Sequence, residues 1–271
     1  MAGEKVNLTG AKETTLMTLY GKALESRLPD SLLGDRFADA AVRKIDYDFS
    51  RLKADDNLGV GLAIRAKTLD VRVEDFLARN PDAIVLHLGC GLDTRIFRID
   101  PPPGVDWFDV DYPEVIELRR KLYPSRDRYP LVASSVTEPG WLVDVPRNRP
   151  AVVVAEGLTP YLPADEGPRL FARLVSHLAS GELMFDAYSG FGLKLLRLNP
   201  SLRATGAEIH WAIEDPHDLE RAVPKLRFVE DIPAYKPEHA IRMRWSARLF
   251  IRLWRHIPAL RKVCRLLRYR F

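Results

Sequence analysis

The segment with the most chemical content is Leu88-Gly89-Cys90-Gly91-Leu92-Asp93-Thr94-Arg95, directly after a short apolar run, Ala83-Ile84-Val85-Leu86-His87-Leu88. Gly89 and Gly91 let the backbone turn tightly and approach a ligand closely. An acid at the end of the next strand can hold a ribose diol. Asp109 lies 18 residues beyond Gly91 and Asp111 lies 20 beyond, the spacing at which an acid from a second strand meets a nucleoside ribose. A pair of glycines alone could merely shape a strand-to-helix turn. Strand, glycine turn, helix and a correctly spaced acid together point to a nucleoside ligand.

A dinucleotide would use the same spacing. Position 94, however, is Thr where the G-x-G-x-x-G pattern carries its third glycine, the residue that allows close helix packing at a pyrophosphate. Asp93 would also face the phosphates and repel them. An adenosyl ligand without phosphates, S-adenosylmethionine, therefore suits the turn better than a nicotinamide cofactor. A nicotinamide-dependent oxidoreductase is the first alternative, and a catalytically inactive interaction protein on the same fold is the second.

Ala155-Glu156-Gly157-Leu158-Thr159-Pro160-Tyr161-Leu162 follows the clearest strand, Ala151–Ala155. Strand carboxyl ends open onto the ligand crevice of such sheets. Glu156 is thus a candidate to bind the cationic part of the ligand or to orient the acceptor, unless it only pairs a structural arginine. Tyr161 is a candidate substrate contact, or a wall residue. Arg65, inside the helical pattern of residues 60–79, could clamp a carboxylate with its planar fork, although most helix arginines face solvent. Six scattered histidines give no metal-ligand spacing, so no metal is expected. No G-x-S-x-G elbow is present, and a hydrolase lacks its nucleophile motif.

These residues need elements to position them. Periodicity predicts helices over 15–27, 35–45 and 60–79, the last stopped at Asn80-Pro81. Strands are then predicted at 83–88, 105–110, 129–133, 151–155 and 181–187, with helices at 113–122 and 165–178 between them. Strands alternating with helices indicate right-handed crossovers and a doubly wound α/β sheet. Two late strands are expected at 226–232 and 240–245. The expected organisation is a helical cap over 1–80, an S-adenosylmethionine-binding domain over 81–247 with an insertion at about 188–225, and basic amphipathic helices over 248–271 packed on the domain. The insertion follows the fifth strand, so it is expected to supply the acceptor pocket, with Phe191, His210 and Trp211 as candidates.

The chain has 271 residues and a net charge of +4. After Glu238 it carries ten basic residues and no acid, so the preceding body is acidic. A high overall pI is therefore no argument for nucleic acid. The apolar residues of the tail recur at three- and four-residue intervals, and the expectation is that this stripe docks on the body. Weak association with an anionic membrane surface is the second possibility. There is no uncharged apolar run long enough to span a bilayer, no secretory signal, and only two cysteines. A cytoplasmic protein, monomeric or homodimeric, acting on a small molecule is expected.

The motifs, in this order, resemble the leucine carboxyl methyltransferase superfamily, and within it the bacterial branch of polyketide O-methyltransferases of the tetracenomycin type. The resemblance rests on the turn Leu88–Arg95, on Trp107-Phe-Asp-Val-Asp-Tyr-Pro-Glu-Val, on Ala155-Glu-Gly-Leu with Tyr161-Leu162, on Phe185-Asp-Ala-Tyr and on Asp46-Tyr-Asp-Phe. It implies a class I methyltransferase fold, a Rossmann-like doubly wound sheet of seven strands, and S-adenosylmethionine as donor, with S-adenosylhomocysteine as product. It implies that Arg65 holds the methionine carboxylate, that Gly89 and Gly91 lie beneath the ligand, and that Asp111, with Asp109 beside it, holds the ribose. Glu156 would lie near the amino group, and Lys12 near the position of a lysine from the N-terminal arm. His87 stands where relatives often carry an acid. Ser134-Ser135-Val136 replaces an aspartate-leucine pair, which makes Ser135 the candidate for the adenine amine. Methyl transfer to an ionised carboxylate needs no general base, whereas a phenol, with a pKa of about 10, benefits from one. The sequence leaves carboxylate and phenol both open.

Overall fold

The structure, a computed structural model, describes residues 3–6, 8–233, 237–254 and 256–271. Seven strands form one sheet: β1 (Ile84–Leu88), β2 (Asp106–Asp111), β3 (Leu131–Ala133), β4 (Ala151–Ala155), β5 (Gly181–Ala187), β6 (Arg227–Pro233) and β7 (Arg265–Arg270). Their spatial order is β3-β2-β1-β4-β5-β7-β6. The first five run parallel, and β7 is antiparallel to both β5 and β6. Chain order reverses between β1 and β4, so the loops after these two strands diverge and leave a crevice at their carboxyl ends. Gly89 and Glu156 stand on its two sides.

Every residue of β1 and of β4 is buried, as expected for parallel strands covered on both faces. One face packs Leu86, Val153, Phe185 and Tyr269 against Phe171 and Leu174 of the helix Glu166–His177. The other packs Val85, Trp107 and Val154 against Leu69, Val73 and Phe76. These last three lie on a 24-residue helix, Asp56–Arg79, capped by the Asp55 side chain, which accepts from the Leu58 N–H. Each such side chain contributes about 1.5–3 kcal/mol on burial. The remaining helices are named in chain order: α1 (Thr14–Ser26), α2 (Arg36–Lys44), α3 (Asp56–Arg79), α4 (Arg95–Ile99), α5 (Pro113–Leu122), α6 (Glu166–His177), α7 (Gly190–Arg197), α8 (Pro200–Thr205), α9 (His217–Ala222) and α10 (Trp245–Trp254).

Helices α1 and α3 meet through glycines. A Cβ on Gly59 would lie 2.6 Å from the Gly21 carbonyl oxygen, and one on Gly21 would lie 2.6 Å from Leu62. The absent side chains let the two backbones touch. That contact carries Lys22 of α1 and Arg65 of α3 over the carboxyl end of the sheet.

Two expectations are corrected at the C-terminus. Residues 240–245 form no strand: the chain passes from a helical turn, Pro237–Ala240, into α10. The tail is not helical to its end either, because Arg265–Arg270 is strand β7, inserted between β5 and β6. Its side chains alternate with period two: Leu267 and Tyr269 enter one core and Leu266 the other. The three- and four-residue spacing that suggested helix comes from joining α10, a turn at Pro258–Arg261 and this strand into one pattern. Arg268 bonds Glu182 at 2.9 and 3.0 Å, and Arg265 donates to the Ile213 and Glu214 carbonyls at 2.7 Å. Part of the basic tail therefore does meet acids of the body. Arg255, one of the ten basic residues of the tail, and the side chains of Phe250, Leu253 and Trp254, which belong to the expected stripe, lie outside the described residues. No helix of the described residues is long and apolar enough to cross a membrane.

Two outcomes follow. Gly59→Ala should destabilise the fold by about 1–3 kcal/mol, the cost of overpacking against backbone that cannot yield, read from urea denaturation. Deleting residues 265–271 should leave two sheet edges unpaired and yield aggregated protein. A soluble deletion variant with an unchanged melting temperature would contradict the internal position of β7.

Candidate active site

The crevice holds two adjoining chambers that share Thr14, Thr15, Gly89, Gly157 and Tyr161. The larger, of about 490 Å³, has a charged floor and an apolar wall. The smaller, of about 250 Å³, lies beside Asp111, Ser134 and Ser135. Gly89 and Gly91 adopt left-handed conformations, with φ of +58° and +51°. A Cβ on Gly89 would lie 2.9 Å from Leu158, and one on Gly91 would lie 3.1 Å from Thr15. Both the conformation and the space require glycine here.

The floor of the larger chamber is an ion-pair network. The Glu156 carboxylate meets Lys22 at 3.1 Å, Arg65 at 3.2 Å, and Arg95. Burial works against its charge, but the three cations outweigh burial and hold its carboxyl well below the usual range. Asp93 meets Arg98 at 2.6 Å and Lys22 at 3.1 Å. Burial is again outweighed, and its carboxyl is held well below the usual range by Arg98, Lys22 and Arg95. Asp93 was expected to face the ligand as a bare charge; its charge is instead balanced within the protein. Asp70 accepts from Arg95 at 2.7 Å and from Arg98 at 2.9 Å. Arg65 also donates to Asp186 at 2.9 Å and stands 3.5 Å from the Tyr188 hydroxyl. Burial raises the Asp186 carboxyl even so.

At the smaller chamber, Asp111 accepts from the Gly91 N–H and the Tyr112 N–H, both at 2.7 Å. Burial raises its carboxyl, and these two amides only partly offset that. Ser135 shares a hydrogen bond with Thr137 at 2.9 Å. Lys12 lines the same chamber, paired to Glu114 at 2.6 Å and lying 5.3 Å from the centroid of the Tyr112 ring.

The candidate set divides on this geometry. Arg65, Gly89, Gly91, His87, Glu156 and Tyr161 line the larger chamber; Lys12, Gly89, Asp111, Ser135 and Tyr161 line the smaller. Asp109 lines neither. Its carboxylate is taken up by His87, Trp107, Arg119 and Tyr129, which makes it part of the interior rather than a ribose contact. Its carboxyl falls to about 2, because Arg119 and His87 outweigh burial. His87 reaches the cavity wall with both nitrogens engaged: Arg95 donates to Nε2 at 2.9 Å, so Nδ1 carries the hydrogen toward Asp109 at 3.1 Å. In the insertion, His210 lines the smaller chamber. Phe191 is exposed and lines neither chamber, and Trp211 is a core residue packed on Phe171 and above Gly167. The insertion's cavity wall is instead Tyr188, Gly192, Leu195, Leu196, Asn199 and Leu202.

Sequence reasoning missed Lys22, Arg95 and Asp186. Lys22 had a signal: it falls on the face of α1 that buries Leu19 and Ala23, where a lone charge requires partners. Asp186 ends a buried strand as Glu156 does, and was given no role.

The residues present fit an adenosyl donor. Asp35, Asp70, Asp93, Glu156 and Asp186 are joined in one network with Lys22, Arg65, Arg95 and Arg98, one carboxylate more than the cations. S-adenosylmethionine, with sulfonium, ammonium and carboxylate, carries one net positive charge and complements that excess.

A family model described as leucine carboxyl methyltransferase matches residues 15–126. The tetracenomycin polyketide synthesis O-methyltransferase of Streptomyces glaucescens is 47% identical over 274 residues, covering 99% of this chain and 100% of that one. An S-adenosyl-L-methionine-dependent methyltransferase of Gibberella zeae is 38% identical over 247 residues, 83% of each chain. Magnesium protoporphyrin IX methyltransferase from Synechocystis PCC 6803, solved with bound SAH, superposes with a TM-score of 0.50 at 12% identity, over 82% of this chain and 92% of that one. The last similarity concerns the fold alone. Relatedness over the whole chain decides between the nicotinamide and adenosyl readings of the glycine turn: the chain belongs to the leucine carboxyl methyltransferase family and is an S-adenosylmethionine-dependent methyltransferase.

Proposed function

We propose that this enzyme methylates a carboxylate oxygen of an apolar small molecule, of the size and character of an aromatic polyketide acid. The observation that carries the proposal is the lack of any disengaged base among the described residues of the larger chamber. Burial raises the Tyr161 and Tyr188 hydroxyls above their ordinary range and pushes the Cys264 thiol up to about 12. All three stay protonated at neutral pH and accept no proton from a substrate. Glu156 and Asp93 are committed to cations, and both His87 nitrogens are bonded. A phenol would have to lose its proton without help. A carboxylate arrives ionised. The wall formed by Met17, Leu58, Leu62, Leu195, Leu196 and Leu202 suits an apolar body, and the tetracenomycin relative acts in polyketide synthesis by its name.

S-adenosylmethionine, when bound, supplies a methyl group activated by a sulfonium. The chain's own contribution is binding and alignment in a site shielded from water. Arg65 is proposed to fork onto the methionine carboxylate, with Glu156 and Asp186 beside the ammonium. Asp111 is proposed to accept from the ribose hydroxyls, and Ser135 from the adenine amine. Tyr161, shared by both chambers, would lie along the donor where it passes from one chamber to the other. Tyr188 and Asn199 are the polar groups available to orient the acceptor carboxylate.

Assay with methyl-labelled S-adenosylmethionine and a panel of aromatic polyketide acids should give a product that releases its label as methanol in alkali, as an ester does. Label that survives alkali would mark an ether and defeat the carboxylate assignment. Asp111→Ala should weaken S-adenosylmethionine binding by about 1.5–3 kcal/mol, the loss of a charged hydrogen-bond acceptor, measured by calorimetry. Arg65→Lys should also weaken it, because a point charge does not reproduce a planar fork; unchanged affinity would remove Arg65 from its proposed role.

A further inference from the structure

Among the described residues, helix α10 and the turn before it carry apolar side chains on two faces, one packed inward and one exposed. Met243, Ala247 and Ile251 pack inward with Val60 and Ile64 of α3 and with Leu28 and Leu32. On the outer side Trp245 is 71% exposed and Leu249, one turn on, is 49% exposed. Ile241, in the turn before the helix, is 64% exposed. Arg248 and Arg252 are exposed on the same helix, and Arg244 lies just before it. None of these three arginines makes an ion pair among the described residues, whereas Arg242 is tied to Asp30 at 3.1 Å. From residue 239 to the end the chain has no acid.

We propose that this outer face is a docking surface for an anionic membrane. Exposed Trp and Leu flanked by arginine form the pattern of a helix that lies in the interface, its apolar side chains among the acyl boundary and its cations at the headgroups. Charge selects this occupant. An isologous contact with a second copy would set arginine against arginine, which costs rather than stabilises. Nucleic acid would use the arginines and leave the Trp245–Leu249 stripe in water.

The segment that carries this face also abuts the larger chamber. The Arg244 N–H donates to the Asn57 side chain at 3.0 Å, and Asn57, Leu58 and Gly61 of α3 line that chamber. On the far side of the segment, Val263 and Cys264 line it again. A membrane bound here would sit beside the chamber that receives an apolar acceptor, so such an acceptor could pass between bilayer and site without crossing water. This consequence rests on the apolar-acceptor proposal above; the docking itself does not.

Co-sedimentation with vesicles tests the surface in the absence of any acceptor, so it can fail independently of the acceptor assignment. The full chain should sediment with phosphatidylcholine vesicles containing phosphatidylglycerol and not with phosphatidylcholine alone. Trp245→Ser with Leu249→Ser should reduce partitioning by about tenfold or more. Arg248→Gln with Arg252→Gln should reduce it comparably and flatten its dependence on salt. Calorimetric affinity for S-adenosylmethionine should be unchanged in both variants, which separates loss of the surface from loss of the fold. No sedimentation with the anionic vesicles would overturn the proposal. So would binding that survives the Trp245 and Leu249 substitutions, the mark of a purely electrostatic surface suited to an acidic protein. A Trp245-dependent dimer in analytical ultracentrifugation, without vesicle binding, would assign the face to a second copy instead.

Discussion

A carboxylate at the end of a strand buried on both faces must find cations, and Glu156 finds three. Removing one partner of such a buried pair leaves an uncompensated charge and destabilises by about 3–5 kcal/mol. The cations come from separate parts of the chain: Lys22 from α1, Arg65 from α3 and Arg95 from α4. One carboxylate therefore fixes the N-terminal helices on the sheet and orients the glycine turn, whose helix begins with Arg95. The geometry of the donor site and the attachment of the cap share a single electrostatic requirement. The Gly21–Gly59 contact is its steric counterpart, since any side chain there would hold Lys22 and Arg65 apart.

Among the described residues the network does not balance within the protein, its five carboxylates facing four cations. With a carboxylate in excess, the site without ligand carries a negative charge in a low-dielectric setting. A cationic ligand relieves it, and a dinucleotide with its pyrophosphate would add to it. Asp93 was expected to exclude phosphate through its own charge. The exclusion belongs instead to the whole network, because Arg98 and Lys22 already balance Asp93 itself.

The first five strands and the glycine turn were legible because their determinants are local. A buried parallel strand, a glycine turn and an acid some 20 residues on can all be read along the chain, and the first five strands lie within two residues of where the pattern set them. Asp109 and Asp111 could not be told apart, since both point to the same side of β2. Only the end of the strand reaches the crevice, and Asp109, two residues back, meets Arg119 and Tyr129 instead. The C-terminal strand was not legible for a different reason. Arg265, Leu266, Leu267, Arg268 and Tyr269 are shaped by long-range pairing with β5 and β6, and Arg265 and Arg268 are held by acids and carbonyls far away in sequence. An arginine that would be solvated on a helix reads the same in the sequence as one that is bound in a sheet.

The apolar wall of the larger chamber was only partly legible in the sequence, because the expected insertion is one of several segments that build it. Its wall joins Met17 and Thr18 from α1, Leu58 and Leu62 from α3, Leu195 and Leu196 from α7, Leu202 from α8, and Val263 and Cys264 just before β7. Each is an ordinary apolar or small residue, and only their convergence makes a pocket. Two conspicuous aromatic residues of the insertion, Phe191 and Trp211, line neither chamber. Trp211 fills the space above Gly167, where any Cβ would collide with its ring. The acids Asp111 and Glu156 thus stand at strand ends, whose positions the sheet fixes, and the apolar wall comes from helices and loops laid over it. Substitutions at Met17, Leu58, Leu62, Leu195, Leu196 or Leu202 remove no ion pair of the charged floor, because the floor is held by other side chains.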